Sequence, residues 1–442
     1  MSTDRSRPGS PPKPALVLRV GVTGHRPNRL AESAIPRLRR QTADVMVLLQ
    51  SIVDEALTAH ADVYSAEPPP RLRAISAIAE GADTLVAELA LERGMELEAP
   101  LPFTVAEYER DFPPGAPRET FHRLLGGATA VFELDGSREH EAEAYEAVGR
   151  LVARQCDVLV AIWDGEPAAG RGGTALIAAY ARRLGLPVIW IHAAKEQPPC
   201  LIAAESGRTL KQVPIETLRG RLSAILSSPG AKPPASTLRR LLGLADESAG
   251  NLLGDYFAET NPSFTWGQAF VFVRDLLIGR LHRPKLRVDD FAAATAAEWA
   301  DDFAKADAAL TALHAAPMVR LRAHYCWTSG LANYYGGLYR SAFTMNYLLA
   351  ALAVLLAAIG LALARVEGLW TLLELACLVA IVLITMVGKT RRWHERWLTY
   401  RNLAERLRTF RFLIPLGEVP RLAPPPKHSS VDPSRIAWVD WL

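Results

Sequence analysis

From residue 16 to about 193, short apolar, β-favouring runs alternate with stretches whose apolar positions recur every three or four residues. "LVLRVGVT" predicts a first strand. In the following "ESAIPRLRRQTADVMVLLQSIVDEALTAH", Leu38, Val45, Leu49, Ile52 and Ala56 fall at helical spacing. "RLRAISAIAEGADTLVAELALERG" predicts a strand, a turn and a helix that ends at Gly94. "MELEAPLPF" and "ATAVFEL" predict two more strands, and "EHEAEAYEAVGRLVARQ" an amphipathic helix. "CDVLVAIW" is apolar throughout, as a parallel strand buried on both faces must be. "GGTALIAAYARRLG" then predicts a helix capped by Gly185, and "LPVIWIHA" a last strand. Such alternation predicts a doubly wound α/β domain with a parallel sheet over residues 15–195.

The pattern changes completely near residue 341. Residues 342–364, "AFTMNYLLAALAVLLAAIGLALA", carry no charge. As a helix they are about 34 Å long, enough to cross a bilayer. Residues 369–387, "LWTLLELACLVAIVLITMV", reach about 28 Å and hold one charge, Glu374. Only four residues, "RVEG", separate the runs, so the expectation is an antiparallel transmembrane hairpin over 341–388. Two buried helices of a soluble core are the competing expectation. Arg340 precedes the first run, and Lys389, Arg391 and Arg392 follow the second. The positive-inside rule then puts both termini in the cytoplasm, which predicts a two-span protein of the inner membrane. Tyr334, Tyr335, Tyr339 and Trp370 are expected at the interfaces. Asn346 and Glu374 are the polar residues within the runs. Either both reach an interface, or Glu374 faces a partner helix or a pore.

Composition narrows the class. Lys+Arg is 50 and Asp+Glu is 47 in 442 residues, a net charge of +3, so no direct nucleic-acid partner is expected. The four cysteines match no zinc or redox spacing, and a reducing compartment is expected. Residues 1–14 are polar and proline-rich, with no apolar core of a signal peptide, and are read as a disordered tail.

In open α/β sheets ligands bind at the carboxyl ends of the strands. Three loops leave from there. The first is "TGHRP", where Thr23, Gly24, His25 and Arg26 can meet an anion, the arginine through its bidentate fork. The second is "AEGAD", with Glu80, Gly81 and Asp83. Asp83 can equally be a helix N-cap. The third is "WDGEPAAGRGGTA", with Asp164, Gly165, Gly170, Gly172, Gly173 and Thr174. Its glycines let backbone approach a ligand, and the helix beginning there aims free N–H groups at it. The loop is neither a P-loop nor a GxGxxG fingerprint, and a glycine-rich loop can be a tight turn and nothing more.

These loops, with "PLPF", "CDVLVAIWDG" and "GRGGTALIAAYARRLGLPVIWI", resemble in order the SLOG superfamily, the Rossmann-like group named for the cytokinin-activating LOG proteins. The resemblance covers residues 16–195 and implies a nucleotide or ADP-ribose-like ligand, with no certain cofactor. LOG enzymes cleave a phosphoribosyl bond with a Glu shortly after the glycine–threonine turn. Here Ala175-Leu176-Ile177-Ala178-Ala179 follows, with no carboxylate, so no catalytic residue is assigned and an enzyme is not the first expectation. Glu80 or Asp164 could stand in.

Residues 325–413, with "RRWHERWLTYRNLAERLRTFRF" after the second run, resemble the SLATT domain. That resemblance implies a membrane-acting effector in prokaryotic antiviral defence. In the last helix, residues 389–413, Trp393, Trp397, Tyr400, Ala404, Leu407 and Phe410 form a stripe amid arginines. It either lies on anionic lipid or docks onto the N-terminal domain or a neighbouring subunit. Residues 196–340 are read as a linker and helical connector, with "SSPGAKPPAS" as linker. In "RVDDFAAATAAEWADDFAKADAALTALHAA" the aspartates read as a solvated face rather than a metal site. Residues 414–442 are read as a tail. The expectation is a membrane-anchored sensor and effector, a homo-oligomer with a nucleotide-derived small molecule and membrane lipid as partners. The alternative is a membrane-anchored nucleotide or N-glycosidic hydrolase.

Overall fold

The computed structural model describes residues 10–67, 69, 71–167, 171–206, 209–226, 252–279, 286–288, 290–291, 308–362 and 367–413. Two compact units emerge, Lys13–Ser227 and the chain from Ser228 onward with Met1–Pro12.

The first unit is built on one eight-stranded sheet. Its strands are β1 (Val17–Gly24), β2 (Arg71–Ile75), β3 (Glu96–Leu101), β4 (Ala130–Glu133), β5 (Val158–Trp163), β6 (Val188–His192), β7 (Cys200–Ser206) and β8 (Thr209–Pro214). The order is β4-β3-β2-β1-β5-β6-β7-β8. All pairs from β4 to β6 are parallel, and the β6–β7 and β7–β8 pairs are antiparallel. The chain moves from β1 outward to β4, then returns to the far side of β1 with β5. The switch point of the sheet therefore lies between β1 and β5. Helices α1 (Ile35–Ala59), α2 (Ala82–Glu92) and α4 (Ala116–Gly127) neighbour one another, and α5 (Glu141–Gln155) packs on α6 (Thr174–Arg183). A short helix, α3 (Val105–Tyr108), follows β3. Right-handed crossovers to either side of β1 place these two groups on opposite faces.

Every residue of β5 and β6 is buried, as two covered faces require. Val152, Ile177, Ala181, Leu186 and Trp190 fill one side of the core. Leu38, Leu49, Ile52 and Val53 on α1 are fully buried at the helical spacing read above. Each such side chain contributes roughly 1.5–3 kcal/mol. All six expected strands form. The unit extends beyond residue 195, however. β7 pairs with the edge of β6, β8 closes the hairpin, and α7 (Thr217–Leu226) follows and packs on α1. β7 has a short apolar run, Cys200 to Ala204, that ends at Glu205, and β8 mixes Lys211 and Gln212 with Leu210 and Val213, so the hairpin does not read as two continuous apolar strands.

The second unit is helical. It contains α8 (Leu252–Phe257), α9 (Ala269–Leu277), α10 (Ala308–Ala362), α11 (Glu367–Thr390) and α12 (Trp393–Leu413). The first apolar run is the second half of one long helix, α10. α11 returns antiparallel along it. Asn346 Nδ2 donates to Thr385 Oγ1 at 3.1 Å, and Trp370 packs over Gly360. α12 then lies along the first half of α10. Leu321 and Tyr325 pack with Ala404, Leu407 and Phe410. Both apolar helices are long and apolar enough to cross a membrane, and 6% of each most apolar window is buried. Core helices of a soluble protein are mostly buried, and these two are not. Arg392, with φ 54°, breaks the chain between α11 and α12.

Several expectations here are revised. Tyr335 is buried inside the helical unit rather than out at an interface. The α12 stripe packs against the chain's own α10: Trp393, Tyr400, Leu403 and Ala404 are buried. Asn346 bonds across the hairpin instead of reaching an interface. Glu374 is half-buried on α11. Much of the alanine-rich stretch, "SSPGAKPPAS" and the tail from 414 lie outside the described residues.

Candidate functional site

At the switch point the connections that leave β1 and β5 diverge, and a cavity of about 410 Å³ opens there. Its wall comes from the end of β1 (Val22 to Arg26), the β2–α2 loop (Ala77, Ala79, Asp83), α5 (Tyr145, Val148, Val152) and the start of α6 (Gly172 to Ala175). The lining mixes apolar and charged side chains, as small-molecule sites usually do.

The loops are held at backbone level. His25 N donates to Ile162 O at 2.9 Å, and Ala82 N donates to His25 O at 3.0 Å. These two bonds tie β1, β5 and the start of α2 into one rigid corner. Gly172 has φ +77°, and a Cβ there would stand 2.9 Å from the Glu146 amide nitrogen, so only glycine lets this turn lie against α5. Gly173 is the N-cap of α6. The first intrahelical bond runs from Leu176 N to Gly173 O at 2.9 Å. The Thr174 and Ala175 amides precede that bond and lie on the cavity wall, as an anion-binding helix N-terminus requires.

Asp83 sits in the first turn of α2, whose N-cap is Gly81 rather than Asp83. It is 8% exposed, and its Oδ1 has no hydrogen-bond partner among the described residues. Burial pushes its carboxyl up to about 7, against the opposing Arg26 charge and a hydrogen bond from the Gly24 backbone. A buried carboxyl with one unpaired oxygen on a cavity wall is suited to a ligand's N–H or O–H donor. Beside it stands a charged cluster. The Arg26 guanidinium lies over the Tyr145 ring, 4.8 Å from its centre, and 3.7 Å from Asp111 Oδ2. Tyr145 donates to Asp111, and Arg138 pairs with Asp111 at 2.7 Å. Burial, then the bond to Asp111, raises the Tyr145 phenol to about 12. Burial also raises Tyr108, on the same wall.

His25 and Asp164 form a different assembly. His25 Nε2 lies 3.2 Å from the Asp164 amide nitrogen and 3.1 Å from its Oδ1. Burial lowers the imidazole pKa, which keeps the ring neutral at pH 7, and a bare Nε2 accepts from the amide. The cation that pairs with Asp164 is Arg29, at 2.6 Å. Burial works upward on Asp164, but nearby His25 and Arg29, with the hydrogen bond from the Glu166 amide, hold its carboxyl below the usual range. Asp164 is thus committed to tying the β1 and β5 loops together.

Thr23, Gly24, His25, Arg26, Asp83, Gly172, Gly173 and Thr174 share the cavity wall. Glu80, Gly81, Asp164 and Gly165 stand in the same loops but not on that wall, and Gly170 lies outside the described residues. The wall adds Tyr108, Tyr145, Glu141, Glu166 and Arg171, none of which the motifs single out. Tyr145 had one available signal, an aromatic among the acidic positions of an amphipathic helix. Ile78, fully buried in the β2–α2 loop, has φ 47°, a costly conformation for a β-branched residue.

The helical unit holds a second polar assembly. Glu259, 9% exposed, accepts from Tyr335 at 2.9 Å, Tyr400 at 3.0 Å and Arg396 at 3.0 Å. Burial raises the Glu259 pKa, with the Arg396 charge and the tyrosine hydrogen bonds opposing. Arg392 pairs with Asp255 at 3.0 Å. Arg392, one of the cations that set the expected topology, is therefore engaged within the protein.

Among known families, residues 332–413 match a model described as a protein of unknown function, DUF4231. The match covers the end of α10 with α11 and α12, and leaves the α/β unit unassigned. No curated protein matches the chain.

Proposed function

We propose that the chain is a membrane-anchored sensor and effector, in which a nucleotide-derived ligand binds the switch-point cavity and the two apolar helices act on the inner membrane. The observation that carries this reading is the cavity itself. It combines the α6 N-terminus, the Arg26–Tyr145 pair and the unpartnered Oδ1 of Asp83 within about 410 Å³. Helix amides and Arg26 suit phosphate, and apolar lining residues such as Val148, Val152 and Ile177 suit a base. The motif resemblance to SLOG supports the same ligand class, and the SLATT-like pattern supports a role in antiviral defence. Lys389 and Arg391 support cytoplasmic termini. A two-helix hairpin encloses no aqueous path alone, so action on the membrane requires a homo-oligomer.

Thermal unfolding of the detergent-solubilised full chain with linear and cyclic nucleotides and ADP-ribose tests the site. A ligand at a hundred times its Kd stabilises by about 2.7 kcal/mol. Gly173→Glu is expected to remove the shift, because its carboxylate would occupy the anion end. Liposomes carrying the full chain are then expected to leak dye only with that ligand. Intact liposomes at saturation would reject the effector half of the proposal.

A second reading draws on Asp83. A buried carboxyl with a pKa near 7 is poised for general acid–base work, which favours N-glycosidic hydrolysis of a nucleotide. Base release that vanishes in Asp83→Asn would put this reading first.

A further inference from the structure

α9 is amphipathic in the wrong sense for water. Phe272, Leu276 and Leu277 are exposed at 44%, 53% and 82%, and Ile278 just beyond at 60%. Asp275 is turned inward at 8% and pairs with Arg274 at 2.7 Å. A helix that shows apolar side chains outward and buries its acid matches an apolar surrounding.

Its place in the unit says which one. Phe270 N donates to Ser341 Oγ at 3.2 Å, and the Arg340 guanidinium stands 5.4 Å from the Phe270 ring centre. Gly267 O lies against Gly337. These residues immediately precede the apolar run of α10. Trp266, 42% exposed, meets Trp393 edge-on at 5.3 Å, three residues after α11 ends. α9 is therefore attached at the level where the apolar run of α10 begins and α11 ends, and like those helices it leaves apolar side chains exposed. Tryptophan and arginine at that level are what a membrane interface favours.

We propose that α9 is an interfacial helix, with its Phe272–Ile278 face embedded in the headgroup and acyl boundary of the bilayer that α10 and α11 cross. The inference rests on the membrane reading of those two helices. It gives the protein a third membrane contact, one that lies in the bilayer surface rather than across it. Such a face buries to about 5–10 Å.

The test uses the full chain in vesicles of phosphatidylcholine and phosphatidylglycerol. Leu277→Cys, Leu355→Cys on α10 and Val47→Cys on α1 each replace an exposed side chain, while all four native cysteines are buried. Each variant carries an environment-sensitive fluorophore. Lipids bear a nitroxide either near the headgroup or deep in the acyl chain. The Leu277 label is expected to be quenched about twofold more by the shallow nitroxide than by the deep one, as an interfacial depth implies. The Leu355 label is expected to show the reverse order, and the Val47 label no quenching. A Leu277 label that matches Val47 while Leu355 is quenched overturns the proposal and leaves the membrane reading standing. Energy transfer between Leu277 labels without lipid quenching overturns it in favour of a second copy. Loss of quenching at Leu355 as well rejects the membrane reading, and the proposal with it.

Discussion

The Cα of Gly24 at the end of β1 approaches the start of α2 so closely that a Cβ on it would lie 2.2 Å from the Cβ of Ala82. The same Cβ would stand 3.0 Å from Ile162 O on β5. One hydrogen atom at this position is what lets three segments meet at the mouth of the cavity.

Gly24→Ala is therefore expected to destabilise the α/β unit by roughly 1–3 kcal/mol, the usual cost of overpacking. Gly126→Ala on α4, where a Cβ meets nothing within 4 Å, is expected to stabilise by roughly 0.5–1 kcal/mol. Thermal or urea unfolding of the two variants checks the contrast. Equal stability would mean the corner yields easily.

Asp83 ties stability to pH. Its folded pKa of about 7 lies above the ordinary 3.8. The folded state then binds more protons than the unfolded one between those values, so stability falls as pH rises from about 4 to 7 and levels above. The loss is on the order of a few kcal/mol. Asp83→Asn is expected to flatten this slope. Unfolding midpoints measured across that range decide it, and an unchanged slope in the variant would remove Asp83 as its source.

In the helical unit, Arg396→Met leaves Glu259 buried without its cation. The expected cost is roughly 3–5 kcal/mol at neutral pH. It shrinks on acidification, because a carboxyl with a raised pKa takes up its proton and relieves the penalty. Proteolysis of α12 is the readout. Resistance equal to the parent at pH 8 would count against the network as the clamp.

The Asn346–Thr385 bond is expected to matter little. Thr385→Val should cost about 0.6 kcal/mol, and no more than roughly 2. Thermal unfolding in detergent measures it. A larger loss would show the bond to be a principal tie of the hairpin.

Strand order illustrates how far the chain pattern reaches. The apolar runs of β1, β5 and β6 are legible because two covered faces demand continuous apolar sequence. β8, the edge strand, carries no such run, and β7 carries only the short run from Cys200 to Ala204. Within the site, the glycine-bearing loops around Gly24 and Gly172 are visible because backbone contact leaves a residue-type trace. Tyr108, Asp111 and Tyr145 are not, since ordinary residues enter a cavity only by virtue of where their helices are set down.

Local physics leaves its trace along the chain as periodicity, and with it a parallel α/β sheet followed by two helices apolar enough for a membrane. Tertiary structure alone decided the partnerships. It turned Asp164 into a loop tie held by Arg29, left one oxygen of Asp83 without a partner, and laid the α12 stripe against the chain's own α10. Periodicity says that a face must be covered. Which surface covers it depends on contacts between residues far apart in the chain, such as Glu259 and Tyr400, and those exist only once the chain has folded.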